Sequence, residues 1–176
     1  MKGCVIANEG GVMRKRFWVC SLLAIVLLAS CMSYKKVTSP LVDEFRQRML
    51  DHYSGIDHME VMFAPTELQF VYTMKKQYQE TETKEIYLDT RKFVTTPSVF
   101  NEVIEGQYFE AYKFAKKARE YPRISISFDI DGDKVSDYAY ESVYDEKKAS
   151  ESEHEADGYS TWYYNNYNGE LPIEVP

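Results

Sequence analysis

Carboxylates recur at Asp129, Asp131, Asp133 and Asp137 around Gly132, and this is the first grouping in the chain that could do chemistry. Alternating carboxylates suit calcium, which takes six to eight oxygen ligands. An EF-hand loop needs glycine at its sixth position and glutamate at its twelfth. Counted from Asp129, the glycine is fourth and Tyr140 is twelfth, so the run fits the turn of a solvated hairpin better than a calcium site. No metal or other cofactor is expected. The three histidines, His52, His58 and His154, lack the close spacing of a zinc motif such as His-Glu-x-x-His. Tyr159, Trp162, Tyr163, Tyr164 and Tyr167, interleaved with Asn165, Asn166 and Asn168, could stack on a sugar or peptide. A half-buried strand draws on the same residues, and that reading is favoured. There is no nucleophile elbow and no glycine-rich phosphate loop, so no catalytic residue is assigned and the chain reads as non-enzymatic.

The other informative grouping lies near the start. Arg14-Lys15-Arg16 precedes a run of 13 mostly apolar residues from Phe17 to Ala29. A basic start, a short apolar run and small residues at its end are the parts of a secretory signal. As a helix the run covers about 20 Å, short of the roughly 30 Å hydrocarbon core of a bilayer. Leu28-Ala29-Ser30-Cys31 resembles the lipobox of bacterial lipoproteins, in a match confined to residues 13–31. The resemblance implies cleavage before Cys31 and a diacylglyceryl thioether on its sulfur, often with a third acyl chain on the new amino group. One acyl chain binds a membrane marginally, whereas two or three anchor durably. The competing reading is an uncleaved anchor helix from Phe17 through Tyr34, 18 residues flanked by Lys35 and Lys36. Met13 is an alternative start to Met1, which would make residues 1–12 an upstream extension.

The resulting division is a signal peptide at 1–30, lipidated Cys31 with a tether to residue 38, one domain at 39–168 and a loose tail at 169–176. Cleavage would remove four of 21 basic and one of 28 acidic residues, leaving 17 and 27 and a net charge near −10. That balance argues against nucleic acid as a partner and towards a basic protein. The cysteines are Cys4, Cys20 and Cys31, so the mature chain would keep only the lipidated one and could form no disulfide. Lipoprotein residues 32 and 33 would be Met and Ser instead of the retention aspartate. By that resemblance the anchor lies in the outer membrane of a Gram-negative cell, or in the outer leaflet of the plasma membrane of a Gram-positive one.

These groupings need elements to hold them. Ser39-Pro40 reads as a helix start, and Leu41, Val42, Phe45, Met49, Leu50 and Tyr53 recur at helical spacing. Met59, Val61 and Phe63, then Leu68, Phe70, Tyr72 and Met74, alternate about the turn Ala64-Pro65-Thr66 and predict a hairpin. Residues 77–84 read as a loop and 85–94 as a third strand. Thr96-Pro97 opens a second helix that Gly106 breaks or kinks and Pro122 ends. Ile124, Ile126, Phe128 and Ile130 alternate as a strand that returns through Tyr138, Tyr140 and Tyr144. The charged run 146–158 reads as an exposed loop and 159–167 as a last strand.

The expected fold is α+β: a single domain with an antiparallel sheet of about 4–6 strands and two helices on one face. The expected role is that of a membrane-anchored cell-envelope lipoprotein acting as a protein-interaction module, of an assembly-accessory or immunity type. The alternative is an extracytoplasmic binder of glycan, peptide or calcium. Cys31→Ala is expected to abolish lipid modification and release the chain from membranes. A Cys31→Ala product that stays membrane-bound at lower mass would exclude the lipid anchor.

Overall fold

The structure is a computed structural model that describes residues 34–144 and 158–176. The lipobox residues Leu28, Ala29, Ser30 and Cys31 lie outside the described residues, as do most of the 146–158 run and His154.

The domain is α+β, with seven strands in sequence order across one sheet: β1 (Lys35–Lys36), β2 (Ile56–Ala64), β3 (Glu67–Met74), β4 (Arg123–Asp129), β5 (Tyr138–Ser142), β6 (Trp162–Asn165) and β7 (Ile173–Val175). Every neighbouring pair is antiparallel except β3 and β4, which run parallel with Leu68 opposite Ile124 and Tyr72 opposite Phe128. The strand count exceeds the expected range by one, and the sheet is mixed. A parallel pair cannot be joined by a tight turn and requires a long crossover. Here the crossover is helical: α2 (Glu80–Val94), α3 (Pro97–Val99), the π-helical segment π1 (Phe100–Tyr108), α4 (Phe109–Ala111) and α5 (Lys113–Ala118). Helix α1 (Pro40–His52) precedes β2.

Local chemistry accounts for most of these boundaries. Ser39, almost fully buried, accepts the Val42 N–H and caps α1, with Pro40 in the first turn where its missing N–H costs nothing. Thr96 caps α3 in the same way through Val99, again followed by proline. Gly106 falls inside π1, where the chain bonds from i to i+5; the Phe109 N–H reaches the Ile104 carbonyl. Arg119 takes a left-handed conformation, φ 56°, to close α5.

The helices pack on one face of the sheet. Phe45 of α1 meets Phe70 edge-on and stacks on Phe93 of α2 at 3.8 Å, while Tyr108 of π1 packs against Phe63. Residues 85–94, expected as a strand, belong to α2. Thr83, Ile86, Tyr87, Thr90, Phe93 and Val94 are its buried side, and this spacing is helical. Two of the six are threonines, which break up the apolar stripe in the sequence. Their burial is matched by bonding: Thr90 Oγ1 donates to the Ile86 carbonyl at 2.6 Å and stands 2.7 Å from the Tyr72 hydroxyl. The 169–176 segment, expected as a loose tail, carries β7, which pairs Trp162 with Val175 and Tyr164 with Ile173.

Thr90→Val would leave the fully buried Tyr72 hydroxyl without this partner, and is expected to lower stability by about 1–3 kcal/mol. Urea denaturation checks this. Adding Tyr72→Phe to Thr90→Val should recover part of the loss, because no orphaned hydroxyl then remains.

Candidate functional site

Strands lie about 4.8 Å apart, so seven of them span roughly 29 Å, whereas a helix with its side chains is about 10–12 Å wide. Several helical segments share that face, but their cover stops short of the β7 edge. Facing residues run from centre to edge along one row: Ile126 on β4, Tyr140 on β5, Tyr164 on β6 and Ile173 on β7. Ile126 is fully buried, Tyr140 and Tyr164 are half-buried, and Ile173 is 62% exposed. The row thus passes from core to solvent where the cover of α2 ends.

At that margin lies a groove of about 900 Å³. One wall is Tyr78, just before α2, with Thr81, Thr83, Lys84, Tyr87 and Leu88 of α2; the floor and far wall are Ile130, Tyr138, Tyr140, Tyr164, Ile173, Val175 and Pro176. Tyr87 stacks on Tyr140 at 3.9 Å, and Tyr164 leans on Tyr138 and Tyr140 at 5.6 and 5.4 Å. Burial raises the Tyr138 and Tyr87 phenols above the ordinary tyrosine value, so both stay neutral donors and acceptors at physiological pH. Arg91 ties the walls together: its guanidinium donates to the Pro176 carbonyl at 2.6 Å and the Ser160 carbonyl at 3.4 Å, and lies over the Trp162 ring. Lys84 is the only charged side chain among the described residues of the lining. The surface can seat apolar and aromatic groups and hydrogen-bond at its hydroxyls.

Of the aromatic residues singled out in the sequence, only Tyr164 lines this groove. Trp162 is fully buried, its indole N–H donating to the Tyr159 carbonyl at 2.9 Å, and Tyr159 is buried with its hydroxyl on the Pro122 carbonyl at 2.7 Å. Both are core. Tyr163 alternates with Trp162 and Tyr164 and so faces the opposite side of the sheet, opposite Glu141 and Glu174. Tyr167 has φ 55° and directs its hydroxyl at Glu141; burial first, then the Glu141 and Glu67 charges, raises it to about 12. The period-2 pattern of β6 explains the division, since a strand cannot present adjacent rings to one ligand. The groove's remaining tyrosines come from α2 and β5. Alternation at Tyr138 and Tyr140 was the available signal, and the misassigned α2 concealed Tyr87 and Leu88.

The carboxylates are brought together in part. Oxygens of Asp129, Asp131 and Asp137 lie within 4.8 Å of one another, and Asp133 is not in that group. Each acid is engaged by backbone N–H groups. Asp129, 1% exposed, accepts from Gly132 at 2.7 Å and Lys134 at 3.2 Å; Asp137 accepts from Ile130 at 2.7 Å. Asp131 and Asp133 accept from the residues two further on, Asp133 and Val135, at 3.0 and 2.7 Å. Gly132 and Lys134 adopt φ of 82° and 71° between them, so the loop is held by carboxylates in the role of turn caps. His52 and His58 are exposed and fall outside this cluster.

Among the described residues no helix is long and apolar enough to cross a membrane. The chain matches no protein-family model, no curated protein and no solved structure.

Asp129→Ala should lower the melting temperature, since it removes the buried carboxylate that caps two backbone donors of the turn, whereas Asp133→Asn should be nearly neutral. Millimolar calcium is expected to leave the melting temperature unchanged. A rise that Asp131→Asn suppresses would make the cluster a metal centre and overturn its assignment as a turn.

Proposed function

We propose that the protein is a lipid-anchored, non-catalytic interaction module of the bacterial cell envelope, which captures an apolar segment of a polypeptide partner in the groove between α2 and β5–β7. The observation that carries this is the row Ile126–Tyr140–Tyr164–Ile173, which brings core-type side chains into solvent beside a helix. Leu88 and Ile173 on the rim, and Leu171 nearby in sequence, are 45%, 62% and 89% exposed. Clustered exposed aliphatic residues mark partner surfaces more often than they mark solvent faces. Aromatic walls supply large, rigid contact area of the kind that dominates interface energetics.

A polypeptide suits this lining better than a glycan. Ile130, Ile173, Val175 and Leu88 offer aliphatic contact and few hydrogen bonds, whereas sugar hydroxyls need many polar partners. The net charge near −10 of the mature chain favours a partner with basic flanks, steering encounter while the groove supplies affinity. The anchor at Cys31 and the location outside the cytoplasm belong to the same proposal and derive from the lipobox resemblance.

Peptides selected from a displayed random library against the full lipidated chain in neutral micelles are expected to carry aromatic or aliphatic residues at their centre. Their affinity should fall at least about tenfold with Leu88→Asp or Ile173→Asp, the loss associated with an anchor residue at an interface. Selection of no peptide, together with binding on a glycan array that Tyr164→Ser abolishes, would instead establish a sugar site.

A further inference from the structure

A second cavity, of about 300 Å³, lies at the opposite edge of the sheet, where β1 leaves much of β2 uncovered. Tyr34, Lys36, Arg46, His58 and Glu60 line it together with Met59, Val61 and Met62. Strand β1 pairs only with Met62 and Phe63, and the Val37 N–H then takes the Val61 carbonyl. The earlier part of β2 is left as an open margin beneath α1.

The charges here are balanced and separated. Arg46 donates from Nη1 to Asp43 at 2.8 Å, while its Nη2 is buried without a hydrogen-bond partner, the only buried side-chain nitrogen or oxygen among the described residues in that condition. Lys36 is exposed. His58 Nε2 stands 3.2 Å from Glu60 Oε1. A desolvated guanidinium nitrogen without an acceptor is costly, and a phosphate oxygen supplies the acceptor in the geometry that arginine favours. Glu60 is the acid of the lining, and Asp43 beside it is already paired with Arg46. A ligand that is only anionic gains little from such a site, whereas one carrying both phosphate and ammonium matches it. Met62, partly exposed, adds an apolar contact for the carbon chain next to the phosphate.

Position supplies the source. This step rests on the reading of Cys31 as lipidated: Tyr34 is three chain steps from it and Lys36 five, so the two can lie no farther than about 11 and 18 Å from the Cys31 backbone. The pocket is therefore tethered within reach of the headgroup layer, where tyrosine is a favoured interfacial residue. We propose that this pocket binds the headgroup of a zwitterionic phospholipid, with its phosphate on Lys36 and Arg46 and its ammonium on Glu60. The contact orients the domain on its membrane and leaves the groove at the far edge of the sheet free for a partner.

The test is a titration of the full lipidated chain in neutral-detergent micelles with dihexanoyl phosphatidylethanolamine, read from the methionine methyl resonances. Saturable shifts are expected at Met62. Affinity should fall at least about tenfold in Lys36→Gln and in Arg46→Gln, through loss of a charge-assisted contact. Glu60→Gln should weaken phosphatidylethanolamine and leave dihexanoyl phosphatidylglycerol unchanged, and Tyr164→Ser should alter neither. Lys36 is exposed, so its variant remains informative if Arg46→Gln fails to fold. Absence of saturable shifts, or equal binding of inorganic phosphate that ignores Glu60→Gln, would overturn the headgroup assignment. The intact mass of the same preparation separates the two readings. A lipidated chain without methyl shifts defeats the pocket alone, and an unmodified Cys31 defeats the anchor and the pocket's placement beside lipid.

Discussion

The parallel pairing of β3 with β4 is the constraint on which the rest of the structure depends. Had the two strands been antiparallel, a few residues could have joined them and the sheet would be a plain meander. Parallel pairing instead sends residues 75–122 across one face, and these residues become most of the helical layer. Tyr72 and Phe128, adjacent across that pair, stack at 5.4 Å beneath α2, and the Tyr72 hydroxyl is tied to Thr90 of the same helix. The crossover is thereby pinned over the centre of the sheet.

From that placement the groove follows. Strands β5, β6 and β7 extend the sheet beyond what α2 covers, and each presents the residue that alternation dictates, whether or not a helix lies above it. Tyr140 is covered by Tyr87 and Tyr164 less so, while Ile173 stands in solvent. The uncovered margin forms without loops or insertions. Arg91 of α2 fastens the end of the chain after β7 through the Pro176 carbonyl. The opposite edge has a different character because β1 is only two residues long, which opens a polar pocket beside Tyr34 and Lys36.

Much of this was legible in the sequence, for physical reasons that can be named. Ser39-Pro40 and Thr96-Pro97 announced their helices because a hydroxyl cap followed by proline satisfies the orphan N–H groups of a first turn. The strands with clean alternation, β2, β3 and β4, were equally plain, and the α+β class followed from them. Helix α2 was obscured because Thr83 and Thr90 occupy its buried face, polar positions whose bonds to the backbone and to other side chains are visible only in three dimensions. The parallel pair was not legible either, since alternation specifies a strand's faces and says nothing of its neighbours' direction. Strand β7 is three residues long, too short to show a period, and its contribution to the groove was therefore hidden. Within 159–167, expected as a last strand, only Trp162–Asn165 is strand, and β7 follows it. The division of its aromatic residues into core for Tyr159 and Trp162, groove for Tyr164 and opposite face for Tyr163 depends on register.

The most direct test of the central claim is site-specific photocrosslinking in native cells, with the photoreactive residue placed at Leu88 on the groove rim or at Glu141 on the opposite face. The account predicts one crosslinked partner at Leu88, mapping to a single apolar segment, lost when Tyr164→Ser is added and absent at Glu141. Equal crosslinking from both positions, or a partner captured only at Glu141, would contradict it.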